Sequence, residues 1–148
     1  MRVSLSKDLH DGAWTLHQRA SLLDAAALVE WREQLLIATE PLEQRIDLLV
    51  DLSGLTLHPS IAELYELALR DELAARARHL LHYGASPGTA AALRVAYVHA
   101  PLYPDRATAL AILEDIRRER VLLRRSGAVL SPTAEDCEFE VRIREKRR

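Results

Sequence analysis

Four polar side chains lie within ten residues of one another: Asp51, Ser53, His58 and Ser60. A carboxylate, hydroxyls and an imidazole are the parts of a Ser-His-Asp relay, in which the imidazole takes the serine proton and the carboxylate orients the ring. Residues this close in sequence rarely place three side chains in relay geometry, so Asp51, Ser53 and His58 are not assigned as a catalytic set. No G-x-S-x-G, phosphate-loop or dinucleotide fingerprint is present either. The chain is therefore expected to be non-enzymatic and to need no cofactor. Ser60 has a chemistry of its own. A phosphate there would meet free backbone N–H groups and the positive end of a helix dipole. The competing role is structural: Glu63 stands three residues on, the Ser-x-x-Glu spacing of a capping box, with a cap worth about 1 kcal/mol. Capping is the preferred reading, and phosphorylation of Ser60 is kept beside it.

The remaining histidines are His10, His17, His79, His82 and His99. His79 and His82 stand i, i+3 on an expected helix, but no nearby Asp or Glu completes a metal set, so a surface or helix-end role is preferred. His58 and His99 would meet at one rim if their strands are parallel neighbours.

The element that must position the first four side chains is the run Ile46–Leu52, apolar on both faces and closed by Ser53-Gly54. A run of this kind followed by a helical pattern reads as a central strand of a covered sheet. Ligands and partners of such sheets meet the carboxyl ends of the strands, which places Asp51–Ser60 where function is expected.

The chain around that run is ordinary in size and composition. Its 148 residues, 49% hydrophobic and 28% charged, suit one globular domain. A net charge of -2 gives no field toward nucleic acid or membrane. The basic residues gather beyond Arg117, but Glu119, Glu135, Asp136, Glu138, Glu140 and Glu145 offset most of them, and a solvated face is expected. Nearly all the cations are arginine, as in a high-GC bacterium. The lone Cys137 excludes an intrachain disulfide. No segment has signal-peptide or membrane-span character, so a cytoplasmic location is expected.

In order, residues 2 to 20 read as a hairpin turning at His10-Asp11-Gly12, and 21 to 40 as a helix with Asp24 near its start. Within it Trp31 is read as a core anchor. Residues 60 to about 83 read as a second helix, broken by the GASPGT stretch from Gly84 to Thr89. Leu93–His99 is the preferred next strand, because RHLLHY at 78–83 is polar for a sheet centre. The alternative makes 78–83 the strand, 89–98 helical and 100–104 a further strand. Residues 105–119 are a helix with Ala109, Ile112, Leu113 and Ile116 on one face, and 121–125 a short strand. The alternation of Cys137, Phe139, Val141 and Ile143 with Glu138, Glu140, Arg142 and Arg144 predicts a last strand at 137–144.

The hairpin, LLVDLSGLTL at Leu48–Leu57 and LRVAYVHAP at Leu93–Pro101 resemble the strands of the STAS fold, found in anti-sigma-factor antagonists and sulfate-transporter tails. The resemblance implies an α/β fold: a mixed, mostly parallel sheet of about five strands with an N-terminal hairpin edge, about three helices and an extra C-terminal strand. One domain is expected over 1–148, with a core of 1–126 and an extension of 127–148. In regulatory members the loop after the central strand reads Asp-Ser-Ser-Gly and a kinase partner phosphorylates a serine there. Pro59, Ser60, Ile61 and Ala62 occupy those places, so only Ser60 matches in kind and the family's acceptor falls on Ile61.

The resemblance implies a non-enzymatic regulatory or protein-interaction module, binding a partner through Asp51, Ser53, His58 and Ser60. An alternative is a small apolar-ligand or lipid-binding domain, its pocket lined by Tyr97, Trp31 or Leu64. A third is a small hydrolase at the strand-end rim. The free alternating strand at 137–144 adds the expectation of a homodimer.

Overall fold

A computed structural model describes residues 1–96 and 101–125. The chain divides into two compact units, 1–110 and 111–148. The first begins with an antiparallel hairpin, β1 (Arg2–Lys7) and β2 (Trp14–Leu22). Its turn closes on Asp8, whose carbonyl accepts from the Gly12 N–H at 2.8 Å, while Asp8 and Asp11 carboxylates take the N–H groups of His10 and Ala13. Gly12 stands at φ 72°, a left-handed conformation that costs glycine nothing.

The Asp24 side chain accepts from the Ala27 N–H and caps α1 (Ala25–Thr39). The helix starts four residues later than the sequence suggests. Ser21 and Leu22 stay in β2 because a short strand, β4 (Leu55–Leu57), extends the ladder beside Ala20–Leu22. The central strand is β3 (Ile46–Asp51), parallel to both β2 and β5 (Ala77–Tyr83). A two-residue β6 (Leu102–Tyr103) follows, giving the order β1-β2-β3-β5-β6 with β4 on β2. Every pairing but the hairpin is parallel. The expected α/β architecture is present, with six strands.

Ile46 to Val50 are all buried, as a strand covered on both faces requires. The face carrying Leu16, Leu48 and Val50 belongs to the main core with Trp31 and Leu35 of α1 and Tyr65, Leu69 and Leu73 of α2 (Ala62–Leu73). Trp31 is the core anchor the sequence predicts. Its ring centroid lies 4.8 Å from that of Tyr65, and its indole N–H donates to Gln18 Oε1 at 2.9 Å. The Tyr65 hydroxyl donates to the same oxygen at 3.1 Å, and the Gln18 amide nitrogen donates to the Asp51 carbonyl at 3.3 Å. One buried glutamine thus joins α1, α2 and the end of β3.

The preferred assignment of 60–99 is overturned. The second helix stops at Leu73, residues 78–83 lie in β5, and Leu93–Ala96 are the end of a helix, α3 (Pro87–Ala96). Two interactions let a polar segment serve as a strand. His79 Nδ1 meets Asp47 Oδ1 of β3 at 2.9 Å, both side chains nearly buried. His82 points to the opposite face, where burial pulls its pKa down to about 4 and keeps the ring neutral. The two histidines therefore share no helical face. Gly84 (φ 79°) ends the strand, and Ser86 receives the N–H groups of Thr89 and Ala90 before Pro87 opens α3.

The last described element, α4 (Arg106–Arg125), starts from Asp105, whose carboxylate takes the Thr108 N–H at 2.8 Å. Residues 121–125 are helical rather than a strand: the apolar stripe carries on to Leu123, seven residues after Ile116, while Val121 and Leu122 are exposed. The second unit contains the last turns of this helix, with Arg118 paired to Asp115 at 2.8 Å. The expected strand at 137–144, and the homodimer read from it, lie outside the described residues. No helix among the described residues is long and apolar enough to cross a membrane.

Replacing Gln18 by Leu takes the acceptor from the buried Trp31 N–H, worth about 1–3 kcal/mol, and removes one hydrogen bond of Tyr65, worth about 1 kcal/mol. Urea unfolding of Gln18→Leu should show a loss of about 3 kcal/mol, and a change under about 1 kcal/mol would contradict the hub. His82 binds its proton less readily folded than unfolded, so its contribution is complete above the ordinary histidine range and lost as pH falls toward about 4. Stability should drop by up to about 3 kcal/mol across that interval, and His82→Leu should flatten the drop. Equal slopes for wild type and variant would exclude His82 as the cause.

Candidate functional site

The rim at the carboxyl end of β3 is built by alternating anchors and tips. Leu52, Leu55, Leu57 and Ile61 are buried, whereas Ser53, Thr56, His58 and Ser60 are exposed. The Leu52 N–H donates to the Tyr83 carbonyl at 2.8 Å, and the Leu55 N–H returns to the Leu52 carbonyl at 3.1 Å. The Gly54 carbonyl accepts from the Ala20 N–H at 3.1 Å, which brings the turn onto β2. A Cβ at Gly54 would collide with the Gln18 carbonyl oxygen, so glycine is demanded here by close approach. Further on, the Leu55 carbonyl accepts the Thr89 hydroxyl at 2.8 Å, and the His58 N–H donates to the Leu22 carbonyl at 3.0 Å.

The four residues singled out in the sequence form two hydrogen-bonded pairs. Asp51 Oδ1 accepts both the Ser53 N–H, at 2.9 Å, and the Ser53 hydroxyl, at 2.7 Å. His58 Nδ1 accepts the Ser60 N–H at 3.1 Å and lies 2.7 Å from the Ser60 hydroxyl oxygen. A ring nitrogen that accepts a backbone N–H carries its lone pair, so the Ser60 hydroxyl also donates to it and the ring proton sits on Nε2.

Ser60 and Glu63 do not form the expected capping box. A 3₁₀ turn (Pro59–Ile61) precedes α2, capped by the His58 side chain, and α2 itself has no side-chain cap. The extra turn puts Ser60 inside the first coil rather than ahead of it. Ile61, in the place of the family's acceptor serine, is buried. Ser60 is the exposed hydroxyl of this turn.

Asp51 brings in residues the sequence did not single out. Its Oδ2 lies 3.4 Å from His17 Nδ1, and His17 Nε2 lies 3.0 Å from the Ser6 hydroxyl oxygen. The β2–β3 register sets His17 directly opposite Asp51. Tyr83 stands on Asp51's other side in β5. Burial pushes its phenol up to about 12, the Asp51 charge adds to this, and Arg106 opposes it. An open cleft of about 900 Å³ borders the pair, lined among others by His17, Arg19, Ser21, Glu30, Asp51 and Ser53. His58 and Ser60 do not line it.

The sequence held one signal for His17, the β2 alternation that puts it on the face opposite to Leu16. It held none for the register with Asp51. His99 and Tyr97 lie outside the described residues. Trp31 is packed into the core and Leu64 is half exposed, so these two do not line one apolar pocket. Among the described residues no three His, Cys, Asp or Glu side chains are grouped to hold a metal.

No family model matches the chain, and no curated protein matches it. Among solved structures it is similar to RsbS of Moorella thermoacetica in a serine-to-glutamate variant, with 18% identity and a TM-score of 0.50, covering 80% of this chain and 99% of that one. A likeness at this identity speaks for the architecture, and the hairpin edge, parallel centre and strand-end rim agree with it: the chain has a STAS-like fold.

Proposed function

We propose that the chain is a bacterial, cytoplasmic regulatory module that works by binding a protein partner at the Asp51–Ser60 rim, without turnover of a substrate. One observation carries the reading: buried apolar anchors at Leu52, Leu55, Leu57 and Ile61 hold exposed polar tips at Ser53, Thr56, His58 and Ser60. A surface already ordered before contact loses little conformational freedom on docking. Its polar tips offer donors and acceptors in fixed directions, which suits recognition of a folded partner. The STAS-like fold supports the same reading, since the rim is the place where partners of open α/β sheets dock.

Ser60 is the residue of this rim suited to phosphorylation. Its hydroxyl is exposed and bonded to an imidazole, and its N–H belongs to the first turn ahead of α2. A phosphate on it would give up the hydroxyl's hydrogen bond to His58 and add negative charge at the turn that leads into α2. The apolar-ligand alternative draws less support, because the cleft beside the rim is open and bordered by charged side chains.

Affinity capture from the native host, run with wild type, Ser60→Glu and Ser53→Arg, tests the reading. Wild type should retain a stoichiometric protein, and each substitution should weaken its binding at least ten-fold, about 1.4 kcal/mol. A partner held equally by all three proteins would place docking elsewhere. Recovery of only a second copy of the chain would make the partner a homodimer mate.

A further inference from the structure

We propose that the outward groove between α1 and α2 takes an amphipathic helix of a protein partner, with basic residues flanking its apolar stripe. This surface is separate from the strand-end rim and does not rest on docking there.

α1 has no polar outer face. Trp31 and Leu35 are buried against the sheet, yet Val29, Leu36 and Ile37 on its other sides are 41 to 72% exposed. A helix that is apolar all round is ordinarily a buried one. α2 adds Leu64 and Leu67, 50% and 44% exposed. Single apolar side chains scattered over a surface need no explanation, but these five fall on two adjacent helices.

The ion pair between Arg32 Nε and Glu72 Oε2, at 2.6 Å, marks where the two helices face each other. On α1, Val29 and Leu36 stand three residues before Arg32 and four after it, so they share its flank. On α2, Leu64, Ala68 and Glu72 form an i, i+4, i+8 row, in which Ala68 is buried and Leu64 stands open. Apolar side chains therefore line both walls. The helices run 15 and 12 residues, so the groove is about 20 Å long, enough for about three to four turns of a docked helix.

Charge decides the occupant. α1 and α2 carry six carboxylates and two arginines. Both arginines are paired, Arg32 with Glu72 and Arg70 with Glu66, so Glu30, Glu33, Glu63 and Asp71 leave the surface negative. A second copy laid face to face would set carboxylates against carboxylates, and an anionic bilayer would repel the same groups. A helix with apolar anchors at i, i+3, i+4 and i+7, and lysine or arginine beside them, meets both the apolar walls and the acidic borders.

The test is a phage-displayed library of helices of about 15 residues, with a fixed leucine stripe and random flanking positions. Binders selected on the full chain should be enriched in lysine and arginine at the flanks and depleted of aspartate and glutamate. The strongest binder, labelled with fluorescein and followed by anisotropy, should lose affinity as salt is added. Val29→Asp and Leu64→Asp, both at exposed positions, should each weaken it about ten-fold or more, because each sets an unpaired carboxylate against its leucines. Val95→Asp, at an exposed apolar position on α3, should leave the affinity unchanged, as should Ser60→Glu at the rim. A selection that yields no binder, binders without a basic bias, or equal affinity for Val29→Asp, Leu64→Asp and wild type would overturn the proposal. So would a dimer in analytical ultracentrifugation that these two substitutions dissolve, which would give the groove to a second copy. Sedimentation with phosphatidylglycerol vesicles that the same substitutions abolish would give it to a membrane, and would overturn the proposal equally.

Discussion

The side-chain amide of Gln18 is the interaction on which the arrangement of this fold depends. Its oxygen accepts from Trp31 and Tyr65, and its nitrogen reaches the carbonyl of Asp51. Two aromatic rings could pack against an apolar sheet in many orientations. Holding an indole N–H and a phenol on one acceptor narrows the arrangements, because moving the indole away would strand its buried donor. The same amide ties that arrangement to the last residue of the central strand. The core and the rim are thus set by one side chain, and Asp51 is placed by the packing of helices that never touch its carboxylate.

Much of this was legible in residue patterns. The Asp-Gly turn and the doubly buried Ile46–Val50 run each follow from local chemistry and are found where it puts them, whereas Asp24, expected inside the first turn of a helix from Ser21, instead caps one that begins at Ala25. The stretch from Arg78 to Ala96 was misread for a physical reason. The polar composition of RHLLHY argues against a sheet centre only while its partners are unknown. Asp47 lies 32 residues away in sequence yet 2.9 Å from His79, and burial keeps His82 neutral. A strand's tolerance for charge is a property of its neighbours, and these are invisible from within the segment.

The site divides along the same line. Asp51, Ser53, His58 and Ser60 were found because they follow one strand end, and local bonds do pair them. The link from Asp51 to His17 and on to Ser6 joins three strands, so only the register reveals it. Alternation places His17 on a face but cannot say which residue of β3 stands beside it. The histidine cap ahead of α2 was hidden for another reason: one extra 3₁₀ turn moves Ser60 past the position where a capping box would hold it.

β2 pairs with β3 through His17 and again with β4 from Ala20, so Leu52, Ser53 and Gly54 bridge two stretches of one ladder. Only Gln18 and Arg19 separate those stretches in β2, so the turn carries one residue more than the strand it runs beside. That surplus reverses the alternation: Val50 and Leu52 share one parity, Leu55 and Leu57 the other, and both pairs are buried. The surplus residue is accommodated where Gly54 lies against the Gln18 carbonyl, too close for any side chain. The step from one buried parity to the other is thus made at a residue that offers a partner only backbone.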